Sequence, residues 1–326
     1  MLHFPESDGS HTAGAYAAEL FLETRSGRLA AWGNALLGGF AAPDDVAEAV
    51  RSDGRRDPRG GGGARGTSGR GGAGIADAVA AAFRPGGDAS DGPRHVVRWD
   101  GDECGLTFAL GRLRAEGVSG FRLALPVPGH PLGLTGPAEF NARAMEAGEA
   151  VLTVGGRRAL GLVPFEEWHG AGDSAEDGVT VVVWECTEVR DAPPADVPTL
   201  REAERELAEA LREATEVLTR LDLAGGGSGA PGPQVQAALR IYRGGPVSSA
   251  DGTLLAPGYP GEAARVLERA RKVAALVTIA QTTGTGVAVS ASEMTARSAA
   301  LRPLERAARR AVVAAHNAAA ERRGGA

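Results

Sequence analysis

The stretch that most constrains the fold runs from Arg94 to Arg190. Within it the apolar spacing switches between the two-residue alternation of strands and the three-and-four spacing of helices. His95–Trp99 reads as a strand. Asp102 is a good N-cap for a helix over Cys104–Glu116, with Leu106, Leu110 and Leu113 on one face and Gly117 as its stop. Phe121–Leu125 is a second apolar strand. A strand-helix-strand crossover of this length predicts two parallel strands with a right-handed connection. PVPGHPLGL follows, stiffened by Pro126, Pro128 and Pro131. Pro137 opens a helix to Glu146 with Phe140 and Ala144 inward. Val151–Val154 and Arg158–Val163, joined by Gly155-Gly156, read as a tight hairpin. VTVVVWECTEV, Val179–Val189, is the most apolar strand and therefore central. These signals predict an α+β fold with a mixed sheet of about five strands.

Helices flank this unit. Residues 1–52 read as an N-terminal helical unit. Its first helix, from Thr12, carries Tyr16, Leu20 and Phe21; its second carries Leu29, Trp32, Leu36 and Leu37 and ends at Gly38-Gly39; its third runs from Pro43 to Arg51. Residues 53–74 (DGRRDPRGGGGARGTSGRGGAG) have no apolar side chain large enough to hold a core and read as a disordered Gly/Arg-rich insertion. The mixed α/β unit then spans 75–190. Pro193, Pro194 and Pro198 close it, and 198–322 reads as a C-terminal antiparallel helical bundle. There, Thr199 and Glu202 form a capping box. Leu200, Ala203, Leu207, Ala210, Ala214, Val217 and Leu221 make a coiled-coil-like seam over 199–222. Val266, Ala270, Val273, Val277 and Ala280 repeat the pattern over 261–281. Gly225–Gly232 is a flexible link, and Gln234–Tyr242 reads as a short helix. Ser290 and Glu293 cap a last helix to about Arg322, which Pro303 should kink or split.

Composition narrows the partners. A net charge of −6 and a pI near 5.6 disfavour nucleic acid, which calls for a basic face. Two Arg-Gly-Gly triplets, at Arg59 and Arg70, suggest an RNA-binding arm. They lack the aromatic interleaving that base stacking needs, and a plain flexible insertion explains them better. The G-x-G-x-x-G match at Gly69, Gly71 and Gly74 lacks the strand a dinucleotide site requires before it. Cys104 and Cys186 are too few for a disulfide framework or a zinc cluster. His3, Glu6 and Asp8 stand where a signal peptide needs apolar residues, so the chain reads as cytoplasmic. Val273–Ser292 is free of charge but holds QTTGTG, which excludes a transmembrane helix and hence a membrane partner.

Ligands of open sheets sit outside the carboxyl ends of parallel strands. That places Asp100, Asp102 and Glu103 after the first strand and His130 after the second, in one crevice if those strands are neighbours. A carboxylate–histidine pair there can move protons or hold a ligand. Asp100-Gly101-Asp102 also matches the Asp-x-Asp of nucleotide-sugar transferases, a family that nothing else in the chain supports. Against this stand the simpler roles of Asp102 as cap, Glu103 as complement to the helix dipole and His130 as a solvated loop residue. Glu166-x-x-His169 has the spacing of a di-iron ligand pair but follows a strand, and it reads as a loop. Phosphate-loop, nucleophile-elbow and H-E-x-x-H motifs are absent from the sequence.

The segment GRLRAEGVSGFRLALPVPGHPLGLTGPAEFNARAMEAGEAVL resembles uncharacterised conserved proteins of high-GC bacteria, and the resemblance extends through the helical half. It implies no activity, catalytic residue, metal or cofactor. The leading expectation is an interaction or regulatory protein without catalysis, self-associating or binding a protein partner through helices 199–222 and 261–281. The alternative is a small-molecule-binding protein or enzyme with its site near Asp100 and His130.

Overall fold

The computed structural model describes residues 24–51, 93–170, 178–224, 255–282 and 291–324. The expected helix from Thr12, the 53–74 insertion, the Gly225–Gly232 link, the Gln234–Tyr242 helix and the Ser290 cap lie outside these residues. Among the described residues the fold is α+β, with seven helices and one mixed six-stranded sheet. The helices are α1 Arg25–Leu37, α2 Pro43–Arg51, α3 Leu106–Ala115, α4 Ala138–Ala147, α5 Leu200–Ala224, α6 Gly261–Thr282 and α7 Ala291–Gly324. The strands are β1 Arg94–Trp99, β2 Asp102–Gly105, β3 Val118–Ala124, β4 Ala150–Gly155, β5 Leu160–Gly170 and β6 Gly178–Glu188, in the order β2-β1-β6-β5-β4-β3.

The strand the sequence did not show is β2. Asp100 and Gly101 both have positive φ, 54° and 87°, and connect Trp99 to its cross-strand partner Asp102. A two-residue Asp-Gly link with both residues left-handed is the hairpin turn that matches strand twist. Asp102 therefore starts a strand and does not cap a helix. Helix α3 begins at Leu106 with Gly105 at its N-cap and no side-chain cap. The extra reversal changes the sheet. β1 is parallel to β6, and each step from β6 through β5 and β4 to β3 is antiparallel. Accordingly β1 and β3 run in opposite senses, which corrects the expected parallel crossover. Glu166–His169, expected as a loop, continues β5 and pairs along its length with Val179–Val182 of β6. The β4–β5 link is four residues long rather than two, with Gly155 and Gly156 both at positive φ.

One face of the sheet carries the main core. Val97, Trp99, Trp184, Leu160, Leu162, Val151, Phe121 and Leu123 belong to one continuous buried cluster with helical residues from α1, α3, α5, α6 and α7. The seam residues Ala203, Leu207, Ala214, Val266, Ala270, Val273 and Val277 are all in it, closed within a single chain. Helices α5, α6 and α7 pack on one another, and α7 also lies on β3 and α1. Helix α7 passes through Pro303 as one helix. The Thr199–Glu202 box forms as expected, with the Thr199 N–H donating to the Glu202 carboxylate at 2.9 Å. The other face of the sheet is covered by α4, where Phe140 and Ala144 meet Leu152 and Val163.

Helix α1 sits close against the sheet because Gly33 leaves room for the Phe121 ring, 2.7 Å from where a Cβ would stand. Its first turn is held from outside the helix. The Thr24 hydroxyl accepts from the Gly27 N–H at 2.9 Å, and the buried Glu149 carboxylate accepts from the Ser26 N–H at 2.7 Å. A carboxylate at a helix N-terminus satisfies orphan donors and complements the dipole.

Candidate functional site

The four sequence candidates do not share a crevice. Because β1 and β3 run in opposite senses, Asp100 and His130 follow opposite ends of the sheet. Asp100 accepts from Arg158 at 3.2 Å and Arg112 at 3.5 Å, and the Arg112 guanidinium stacks 3.8 Å from the buried Trp99 ring. The two arginines clamp the hairpin turn and cover the indole. Glu103 accepts from Arg98 at 2.7 Å, and Arg98 also reaches Glu167 at 3.0 Å. Asp102 is an exposed residue at the start of β2.

His130 is buried in a tight turn, its backbone exchanging hydrogen bonds with Val127 at 2.8 and 3.0 Å. Burial pushes its pKa down, helped by Arg309, Arg306 and Arg310 and opposed by Asp196. Its Nδ1 is buried without a hydrogen-bond partner. The imidazole therefore faces a cationic helix and stays neutral, far from the carboxylates it was expected to join.

Other polar clusters are spent on structure. Among the described residues, no three His, Cys, Asp or Glu side chains gather as a metal site requires. A shallow groove of about 130 Å³ lies beside α4, lined by Pro137, Phe140, Arg143, Val163 and Glu185. Drug-sized ligand sites occupy roughly 300–1,000 Å³. Arg143 crosses this groove, bidentate to Glu185 at 2.7 and 3.0 Å and 3.8 Å from the Phe165 ring. Both cysteines are free thiols; burial pushes Cys186 up to about 12, which makes it inert.

The two sheet edges are managed differently. Strand β2 is four residues long and carries Asp102 and Glu103, so shortness and charge blunt it. Strand β3 is seven residues long and largely apolar, and side chains seal it. Asn34 of α1 donates to the Phe121 carbonyl and accepts from the Phe121 N–H, both at 2.9 Å. Asn317 of α7 accepts from the Leu123 N–H at 2.7 Å and donates to the Leu123 carbonyl at 3.3 Å. The proline loop adds a fifth bond, Leu125 N–H to the Leu132 carbonyl at 3.3 Å. That loop is thus part of the edge closure.

Among the described residues three large apolar side chains are exposed, Phe108 most, then Phe40 at 60% and Trp168 at 44%. Phe108, on the solvent side of α3, is 68% exposed. Gly105, the N-cap of α3, and Gly111 within it are exposed, with open space around each absent Cβ. The sequence carried a signal for this, since Phe108 falls off the Leu106, Leu110, Leu113 stripe.

Residues 26–197 match the family described as Rv1486c-like protein, N-terminal domain, and residues 201–313 match its C-terminal domain. The chain is similar to the uncharacterized protein Rv1486c of Mycobacterium tuberculosis (strain ATCC 25618 / H37Rv), 29% identical over 263 residues, covering 77% of this chain and 81% of the relative. It shares 29% identity over 178 residues with the uncharacterized protein MAV321 of Mycobacterium avium, covering 52% of this chain and 55% of the relative. No solved structure matches it. Among the described residues, no helix is long and apolar enough to cross a membrane. The two matches together cover both the sheet and the helices packed on it, so the chain belongs to the Rv1486c-like protein family.

Proposed function

We propose that the protein is a cytoplasmic, non-catalytic interaction protein that self-associates through the outer face of α3. Phe108 carries this reading. A phenylalanine 68% exposed on a helix whose inner face is fully occupied gains by being covered. The seams of helices 199–222 and 261–281 were the expected contact. Most of the described seam residues, Ala203, Leu207, Ala214, Val266, Ala270, Val273 and Val277 among them, are buried inside the chain, which favours α3 as the contact and leaves the helical half to support the sheet. A second copy fits the α3 face. A two-fold interface presents the same patch from both sides, so a projecting ring beside two exposed glycines can be its own complement. The two free thiols agree with a reducing compartment.

Light scattering tests this. The wild-type chain should have the mass of a dimer, and Phe108→Asp, at an exposed position, should give a folded monomer. A wild-type monomer at about 100 μM, or a Phe108→Asp dimer, would remove α3 as the contact. The small-molecule alternative is narrowed to one end of the sheet at a time, and His130, with its unpartnered Nδ1, is its remaining foothold.

A further inference from the structure

We infer that Asn34 and Asn317 act together as a surrogate strand, an autoinhibitory lock that keeps β3 from pairing with the β3 of a second copy. The accounting of backbone groups motivates it. In an antiparallel ladder, alternate residues turn their N–H and C=O toward opposite neighbours. Phe121, Leu123 and Leu125 are two apart, and their bonds to Asn34, Asn317 and Leu132 lie on the side of β3 away from β4. An asparagine side chain has the donor and acceptor of a peptide group. Each of the two asparagines uses both on one residue, as a neighbouring strand would. Both are 1% exposed, so the amides have exchanged water for partners within the protein.

The lock is assembled from distant parts of the chain. Asn34 is held in place by Tyr259, which receives its Nδ2 at 3.1 Å, and by Arg323, which donates to its Oδ1 at 2.6 Å. The Tyr259 hydroxyl in turn donates to the His316 carbonyl, one residue before Asn317, at 2.7 Å. Helix α7 comes close enough because Ala314, Ala315, Ala318, Ala319 and Ala320 are small; a Cβ on Gly120 would stand 3.2 Å from that of Ala320. A helix that meets a strand through alanines buries little apolar area per residue, so the polar bonds set its register.

What the lock guards against follows from β3 itself. VSGFRLA has one charge, no proline and four apolar side chains, the composition that pairs edge to edge when exposed. The occupant of an opened edge is another β3, antiparallel to the first. The short acidic β2 needs no such device.

The test is Asn317→Leu in the full chain, with Asn317→Gln as a second variant that keeps the amide but lengthens its reach. The readouts are amide hydrogen exchange at Phe121 and Leu123, and mass as a function of concentration. In the wild type both amides should exchange at least ~100-fold slower than an open amide, as interior-strand amides do. Asn317→Leu should speed Leu123 at least ~10-fold, leave the Arg122 amide on the β4 side unchanged, and add concentration-dependent association. That association should persist in the Phe108→Asp, Asn317→Leu double variant, which separates it from contact through α3. Asn317→Gln should show the same exchange change at Leu123, with circular dichroism intact. Fast exchange of Leu123 in the wild type would overturn the inference, as would an Asn317→Leu protein with unchanged protection and mass. If both variants fail to fold, the same exchange measured on wild type in sub-denaturing urea decides. Opening of Phe121 and Leu123 together, before the rest of β3, supports the lock; opening only with global unfolding rejects it.

Discussion

Leu207→Ala is expected to destabilise the chain by ~2–5 kcal/mol, the range for removing a fully buried leucine. Leu207 is 1% exposed and lies in the cluster that joins α5, α6 and α7 to the sheet. The loss is a cavity and unmatched contacts, and it acts within one chain. Leu207→Asp goes further, since it buries an unpaired carboxylate, and should unfold the protein rather than yield a folded monomer. Urea unfolding followed by circular dichroism, alongside mass by light scattering, separates the cases. An alanine variant of unchanged stability but reduced mass would make the seam an intermolecular contact after all. Because α5–α7 and the sheet share one core, the loss should appear as a shift of the whole transition and not as separate melting of the helical part.

The helices were legible because their signals are local. Pro43–Arg51 forms with the bounds its proline and its apolar spacing indicate, and Thr199 with Glu202 starts α5 as a capping box. The central place of β6 was legible because its apolar run Val181–Trp184 fits where both faces are covered. The hairpin at Asp100-Gly101 was hidden by a competing local reading. The same Asp102 and Glu103 that form β2 are also good first-turn helix residues. Strand propensity did not help, since Asp, Glu, Cys and Gly form β2 only because β1 is there to pair with. Glu166–His169 is the same case, held as strand by Val179–Val182.

The candidate crevice failed for that reason alone. One unseen two-residue turn reverses the chain once more, and His130 moves to the far end of the sheet from Asp100. The asparagine lock was out of reach of spacing arguments, because its bonds join residues 87 and 194 apart in sequence. A weaker signal was present. Asn317 stands in AVVAAHNAAA, and a polar amide inside an alanine run that packs must find a partner.

His95 should make the protein acid-sensitive in a defined window. It lies on the core face of β1, 6% exposed, and its Nδ1 accepts from the Trp184 indole N–H at 3.1 Å. That bond requires an unprotonated Nδ1, so the proton of the neutral ring sits on Nε2. Burial lowers its pKa to about 3 from the usual 6.5, with the Arg25 and Arg51 charges adding to the effect. The unfolded chain therefore binds this proton first as the pH falls. The stability contributed by the neutral ring is complete above pH 6.5, declines between 6.5 and about 3, and is gone below that. The slope within the window is at most ~1.4 kcal/mol per pH unit, so by pH 5 the loss from this one group is ~2 kcal/mol. His95→Gln offers an amide oxygen to the indole and does not titrate. Urea unfolding at pH 7.5 and pH 5 should show the wild type losing ~2 kcal/mol more than the variant over that interval. Equal losses in the two proteins would mean that His95 titrates in the folded state at its ordinary pH and that the Trp184 bond does not hold it neutral.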